Sequence, residues 1–284
     1  MEDAYSVENG GRFVAVFDGH GGNQVSSMLR EQLYTLYQSQ LYKMHWIERN
    51  ESEANNIQQQ HHHQQQQQRI PSITSQEGAI RGALEEIERR VSKMEDLLYQ
   101  GSTSVAVLVH VNEKGERTLI SANIGDSRAV LSRKGKAVEL TRDHKPSDER
   151  ERARIQAMGE EVEWDPYGQL YRVRDLSLSR AIGDFFAKPA VSSEAEIQNF
   201  PVSDEEDEFV VLASDGLWDV MSSQEVVDYI HQSLRGSGQD GEEYIDIQES
   251  KIARRVANEA LERGSADNVC VLVLWLRQST SNNE

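Results

Sequence analysis

Residues 13–22 read FVAVFDGHGG, an apolar run that stops abruptly at an acid and a glycine-rich turn. This is the pattern of a strand reaching the rim of a sheet. It recurs along the chain: NIGD ends at Asp126, VVLASDGLWD carries Asp215 and Asp219, and Asp267-Asn268 stands ahead of VCVLVLWL. Within a strand, side chains alternate between faces, whereas residues at strand ends line one rim. Carboxylates collected on a rim repel one another unless cations hold them. Oxygen donors with no His or Cys partner suit hard divalent ions, Mg²⁺ or Mn²⁺, rather than zinc. The expected chemistry is metal-assisted hydrolysis, with phosphate esters the natural substrate.

The 284 residues suit one large domain, expected over residues 1–277 with a polar tail at 278–284. A formal charge of −18 argues against nucleic-acid or anionic-membrane partners, because no basic block can neutralise phosphates. The same charge would repel a phosphate substrate, and bound cations can reverse its sign locally. The single cysteine, Cys270, lies in an apolar run and reads as a core residue in a reducing compartment. It is no phosphatase nucleophile, since the residue six positions on is Leu276 rather than Arg. No apolar stretch approaches the roughly 20 residues of a membrane span, and the polar start MEDAYSVENGG is no signal peptide. An intracellular, cytoplasmic or nuclear, monomer is expected.

Strand Gly11 to Phe17 should lead into a helix from about Asn23 to Tyr42, carrying Val25, Leu29, Leu33, Leu36 and Tyr37. Residues from about Asn50 to Ser75, with the tract HHHQQQQQ, have no apolar periodicity and read as a solvated low-complexity insertion. Ala83, Ile87, Val91, Met94 and Leu98 recur at helical spacing. Strands at Ser102 to Val111, Arg117 to Ile124, Arg128 to Ser132 and Ala137 to Leu140 are expected to form an antiparallel meander, with Asp126 in a GDSR hairpin turn. Pro146-Ser147 opens a helix that Gly159 stops, and Glu160 to Ser203 reads as an irregular flap. After strand Phe209 to Ala213, Ser222 and Glu225 match a capping box for a helix to about Leu234. Gly236 to Gly241 is a polar loop, a helix from about Glu249 ends at Gly264, and the last strand is Val269 to Leu276.

Asp18-Gly19-His20-Gly21-Gly22 carries the most chemical information, since glycine lets a backbone carbonyl at Gly19 approach a metal beside Asp18. Asp215 and Asp219, four apart around a tight bend, can reach one metal cluster. Arg180 and Asp184 in SRAIGD read as a structural ion pair.

The ordered motifs MED, FDGHGG, GSTSVAVLV, ANIGDSRAVLSR, LTRDHKP, LSRAIGD, VVLASDGLWDVMS and DNVCVLVL resemble the metal-dependent protein phosphatases of type 2C, over essentially residues 1 to 277. The resemblance implies an α+β fold, a β-sandwich of two antiparallel sheets flanked by helices. It also implies two Mg²⁺ or Mn²⁺ ions at one end, with a weaker third. By position, Asp18 would bridge both ions and Gly19 would ligate through its carbonyl. Asp215 and Asp267 would complete one shell, and Glu2 would serve the other ion with Asp3 orienting water. Asp126 and Asp219 match the third site, and His20 matches the general acid for the leaving oxygen. The implied reaction is hydrolysis of phosphoserine and phosphothreonine in phosphoprotein substrates, by direct attack of a metal-bridging hydroxide.

Two departures bear on this. Family members carry a strand ahead of MED with a phosphate-gripping Arg, which this sequence does not contain, so Phe13 to Phe17 is expected to present an unpaired sheet edge. The flap segment YRVRDLSLSR lacks the usual Asn-Gly. The first departure leaves two alternatives open, a catalytically weak pseudophosphatase acting as a binding module and an incomplete piece of an active enzyme.

Overall fold

Strand β2 (Phe13–Phe17) is buried along its whole length because both of its faces are covered. The structure, a computed structural model, describes residues 1–56, 70–235 and 251–276. Phe13, Ala15 and Phe17 point into a core shared with helices α1 (Gln24–Asn56) and α2 (Ile73–Val91). Val14 and Val16 point the other way, into a core between two sheets. The first sheet has the order β1 (Ala4–Glu8), β2, β5 (Ser104–Val111), β6 (Arg117–Ile124), β12 (Glu196–Pro201). The second runs β14 (Val271–Trp275), β13 (Asp207–Ala213), β7 (Arg128–Arg133), β8 (Lys136–Glu139). Neighbours in both sheets are antiparallel, as they are in a small third sheet of β11 (Ile182–Gly183), β4 (Gly101–Ser102) and β3 (Gly19–His20). Phe209, Val211 and Ala213 on the outer face of the second sheet pack against α5 (Ser223–Arg235) and α6 (Ile252–Glu262). The result is the layered helix, sheet, sheet, helix arrangement expected from the sequence.

The first strand corrects one expectation. Ala4–Glu8 lies along β2 in the register Ala4↔Phe17 to Glu8↔Phe13, so the Phe13–Phe17 edge is covered. The segment AYSVE hides its nature: Ala4 and Ser6 face the helices, whereas the apolar Tyr5 and Val7 are half-exposed. The expected four-strand meander is also corrected. β5 pairs with β6 and β7 with β8, but β6 and β7 belong to different sheets. The GDS segment is therefore a crossover between layers rather than a hairpin turn, with Gly125 at φ +105.

Three smaller differences concern element ends. Helix α1 continues to Asn56, since the sequence after Tyr42 holds no glycine or proline to stop it. Helix α2 starts at Ile73, with the Ser75 N–H donating to the Ser72 hydroxyl cap at 3.0 Å. The expected loop at 50–75 is thus helical at both ends, and the Gln/His tract lies outside the described residues. Met94 and Leu98 fall beyond the end of α2 and are exposed. Residues 196–201, read as flap, are strand β12 at the edge of the first sheet. What remains of that section is a hairpin of β9 (Glu163–Asp165) and β10 (Leu170–Arg172), seated on α3 (Glu149–Ala157) where the Arg152 guanidinium lies 4.2 Å from the centre of the Tyr171 ring. The Gly236–Gly241 loop and the 278–284 tail lie outside the described residues.

Candidate active site

Antiparallel registers bring the acidic strand ends to one end of the sandwich. Ala4 opposes Phe17, and Ala213 opposes Val271. The residues just outside these pairs, Glu2 and Asp3, Asp18, Asp215 and Asp267, therefore meet at the same rim, although they are drawn from both extremes of the chain. The crossover delivers Asp126 to the same place. A cleft of about 230 Å³ is lined there by Glu2, Asp18, Gly19, His20, Asp126, Asp215 and Asp267, together with Thr103 and, from the flap, Arg172 and Asp175 to Leu178. A larger groove of about 870 Å³ adjoins it, sharing Arg172 and Asp175 but none of the rim carboxylates.

Each donor is held by the local fold. The Asp18 N–H donates to the Thr103 hydroxyl at 3.0 Å, and Asp18 O accepts the Thr103 N–H at 2.9 Å. The Ser26 hydroxyl donates to Glu2 O at 2.5 Å, and a Cβ at Gly19 would sit 2.6 Å from that same carbonyl. Only glycine fits there. Glu2 N–H reaches Asn268 Oδ1 at 3.3 Å, while the Ser214 hydroxyl donates to Asp3 Oδ2 at 2.8 Å. Asp215 opens the short helix α4 (Asp215–Trp218).

The electrostatics show what this gathering costs. Burial, then the charges of Asp215, Asp3, Asp126 and Asp267, push the Asp18 carboxyl up to about 10. Asp126, only 2% exposed, is raised to about 7 by burial and by Asp215, with Lys145 pulling the other way. Asp215 is raised to about 6 by burial and by Asp219, and burial raises Asp3 as well. Buried carboxylates this close favour either bound protons or cations. An oxygen-only donor set, with a backbone carbonyl at Gly19, suits Mg²⁺ or Mn²⁺, so the residues present fit such ions. Among the described residues, no three His, Cys, Asp or Glu side chains close into a formed metal cage; the acids share a cleft wall rather than a finished shell.

Most of the residues singled out from the sequence meet in this cleft; two stand elsewhere. Asp3 lies behind the wall, within hydrogen-bonding reach of Asp18. Asp219 is exposed, and Lys145 Nζ stands between it and Asp126, at 3.1 Å from Asp219 Oδ1 and 3.8 Å from Asp126 Oδ2. A fixed ammonium thus serves both acids of the expected third site. The expected Arg180–Asp184 pair is absent. Arg180 instead binds Glu151 at 2.6 Å, and Asp184 binds His20 at 2.7 Å. Burial pulls the His20 pKa down, but the hydrogen bond and charge of Asp184 outweigh it and leave it raised. Thr103, Ser214, Asp184 and Arg172 were not legible as site residues: the first two are short polar residues in runs such as GSTS and LASD, and the others arrive from a section without periodicity.

The family model Protein phosphatase 2C matches residues 2–269. Probable protein phosphatase 2C 8 of Oryza sativa subsp. japonica is 34% identical over 274 residues, which cover 95% of this chain and 63% of that protein. Protein phosphatase 1A of Bos taurus is 31% identical over 295 residues, covering 96% and 66%. Protein phosphatase 2C 16 of Arabidopsis thaliana is 33% identical, covering 94% and 52%. The chain therefore spans about half to two thirds of the length of these curated relatives. Among solved structures, that of a C. elegans sex determining protein matches with a TM-score of 0.75 at 27% identity, covering 97% of this chain and 61% of that one. The serine-threonine phosphatase 2C from Toxoplasma gondii shares the fold, with a TM-score of 0.66 at 21% identity over 93% of this chain and 84% of that one.

Proposed function

The chain belongs to the protein phosphatase 2C family, and we propose that it hydrolyses phosphoserine and phosphothreonine in proteins with the help of Mg²⁺ or Mn²⁺. The observation that carries this reading is the convergence of Glu2, Asp18, Asp126, Asp215 and Asp267 on one cleft with His20. Asp18, Glu2, Asp215, Asp267 and the Gly19 carbonyl would hold the ions. When bound, these supply Lewis-acid polarisation and charge neutralisation to the phosphoryl group. Asp3, fixed by Ser214, orients the attacking water. Arg172 faces the same cleft from the flap and supplies the phosphate-binding guanidinium. His20 donates a proton to the departing serine or threonine oxygen, a role typically worth about 10²- to 10⁴-fold.

The test is turnover of a phosphothreonine peptide by the purified chain. Activity should require Mn²⁺ or Mg²⁺ at roughly millimolar concentration, as expected of open carboxylate sites that leave the ion partly hydrated. Asp215→Asn should remove most of it. Full activity in excess chelator would end the metal reading, and no turnover with Mn²⁺ would favour a binding module. Among the described residues no helix is long and apolar enough to cross a membrane.

A further inference from the structure

One buried carboxylate beside the cleft has no part in the ion-binding set. Asp184 is fully buried, and its Oδ2 lies 2.7 Å from His20 Nε2. Its Oδ1 has no hydrogen-bond partner, so the side chain's bonding is directed to the imidazole. The backbone is held in the left-handed region at φ 53, ψ 44, a strained conformation for a non-glycine residue that persists only where neighbours enforce it. They do. Asp184 N–H donates to Gln100 O at 2.9 Å, and Gly183 N–H donates to Glu88 Oε2 at 2.8 Å. Gly101 pairs with both His20 and Gly183 in a small sheet, and any Cβ there would collide with the Asp184 carboxylate and with His20 Nε2. Elements far apart in sequence are thus arranged around a single hydrogen bond.

We propose that Asp184 is a positioning residue for the general acid, fixing the tautomer and orientation of His20 so that Nδ1 is the nitrogen that serves the substrate. This rests on the phosphatase reading above. An ionised carboxylate only accepts, so Nε2 carries the hydrogen bonded to Asp184 and Nδ1 is left to exchange a proton at the cleft. As the oxygen of the attacking water forms the new bond to phosphorus and gives up a proton to solvent, the electron pair of the old P–O bond passes to the leaving alkoxide oxygen, which takes the proton from Nδ1 of the imidazolium. His20 is left neutral with Nε2–H still on Asp184, and solvent returns the Nδ1 proton. Asp184 gains and loses nothing. Its service is orientation, the same division of labour that a buried Asp performs for His in hydrolytic triads.

The test combines substrates, a double-mutant cycle and a spectroscopic readout. Asp184→Asn is chosen because asparagine tolerates the left-handed conformation, with thermal unfolding as the fold control. At saturating Mn²⁺ it should lower kcat on a phosphothreonine peptide about 10²-fold, while p-nitrophenyl phosphate, whose leaving group needs little protonation, should lose no more than about threefold. Adding Asp184→Asn to His20→Gln should cost nothing further. Nitrogen-15 NMR of the wild-type imidazole should show hydrogen on Nε2, and the variant should lose that preference. Equal losses on both substrates with additive effects would reduce Asp184 to a structural residue. A neutral His20 with its hydrogen on Nδ1 in the wild-type protein would overturn the proposal without any variant. If the wild type turns over neither substrate with Mn²⁺, the phosphatase reading fails, whereas the NMR result still decides the His20–Asp184 geometry.

Discussion

Thr103 shows how much a single hydroxyl holds together. It accepts the Asp18 N–H at 3.0 Å and shares a hydrogen bond of 2.6 Å with Ser127, so it ties the end of β2 to the crossover that carries Asp126. Thr103→Val keeps the shape and strands these buried partners, which should cost about 1–3 kcal/mol. A lower Tm and weaker Mn²⁺ activation are both expected; an unchanged metal requirement would show that Asp18 needs no such support. Arg172, held at Nε by Asp165 at 2.8 Å, is predicted to act mainly on substrate affinity. Arg172→Ala should raise KM about tenfold, the loss of one charge-assisted contact, with kcat nearly unchanged. A fall in kcat alone would contradict it. Asp18, Asp215 and Asp267 were legible in the sequence because each interrupts or precedes an apolar run. Thr103 and Asp184 were not, because their value lies in partners 85 and 164 residues away, and nothing local marks them.

Periodicity identifies most strands and helices, and the capping box expected at Ser222 is present, with Glu225 Oε2 accepting from Ser222 N–H at 2.8 Å and from the Ser222 hydroxyl at 2.7 Å. Sheet membership was a different matter. A short glycine-containing link between two strands looks the same whether it closes a hairpin or crosses between layers, and only the packing of both faces decides. The link at 125–127 crosses, and the site depends on it. A Cβ at Gly125 would sit 2.6 Å from Thr103 Cγ2, at a φ of +105 that disfavours any side chain. Gly125→Ala should therefore destabilise the fold by more than about 1 kcal/mol and weaken Mn²⁺ binding about 10- to 100-fold by displacing a supporting element. Calorimetric titration of the metal would measure this. Retention of full affinity would mean that the crossover does not set the position of Asp126.

For the whole molecule, two sets of carboxylates give opposite dependences on pH. Glu151, buried between Arg180 and Arg154, is drawn down to about 2, against the resistance of burial, by its bonds to Arg180, the Arg180 charge and Ser179. A depressed acid stabilises the fold above its unfolded value near 4.5, here by about 3 kcal/mol, and that contribution is lost as pH falls toward 2. Asp18, Asp126 and Asp215 are raised, so in the metal-free chain their contribution is complete near pH 4 and is lost as pH climbs through 6, 7 and beyond. Metal-free Tm should accordingly decline from pH 6 to pH 8, and Mn²⁺ should restore more of it at pH 8 than at pH 6, as ligand linkage requires. A Tm gain from Mn²⁺ that is the same at both pH values would contradict the repulsion described for the cleft. The Glu2 to Asn268 bond, across 266 residues, has a further consequence for how the protein comes into being. Translation proceeds from the amino end, so Glu2, the first acid of the cleft, leaves the ribosome long before Asp267 does. Until that last acid emerges and β14 zips onto β13, a nascent chain has no assembled cleft, so the activity proposed above would be a late, all-or-none product of synthesis.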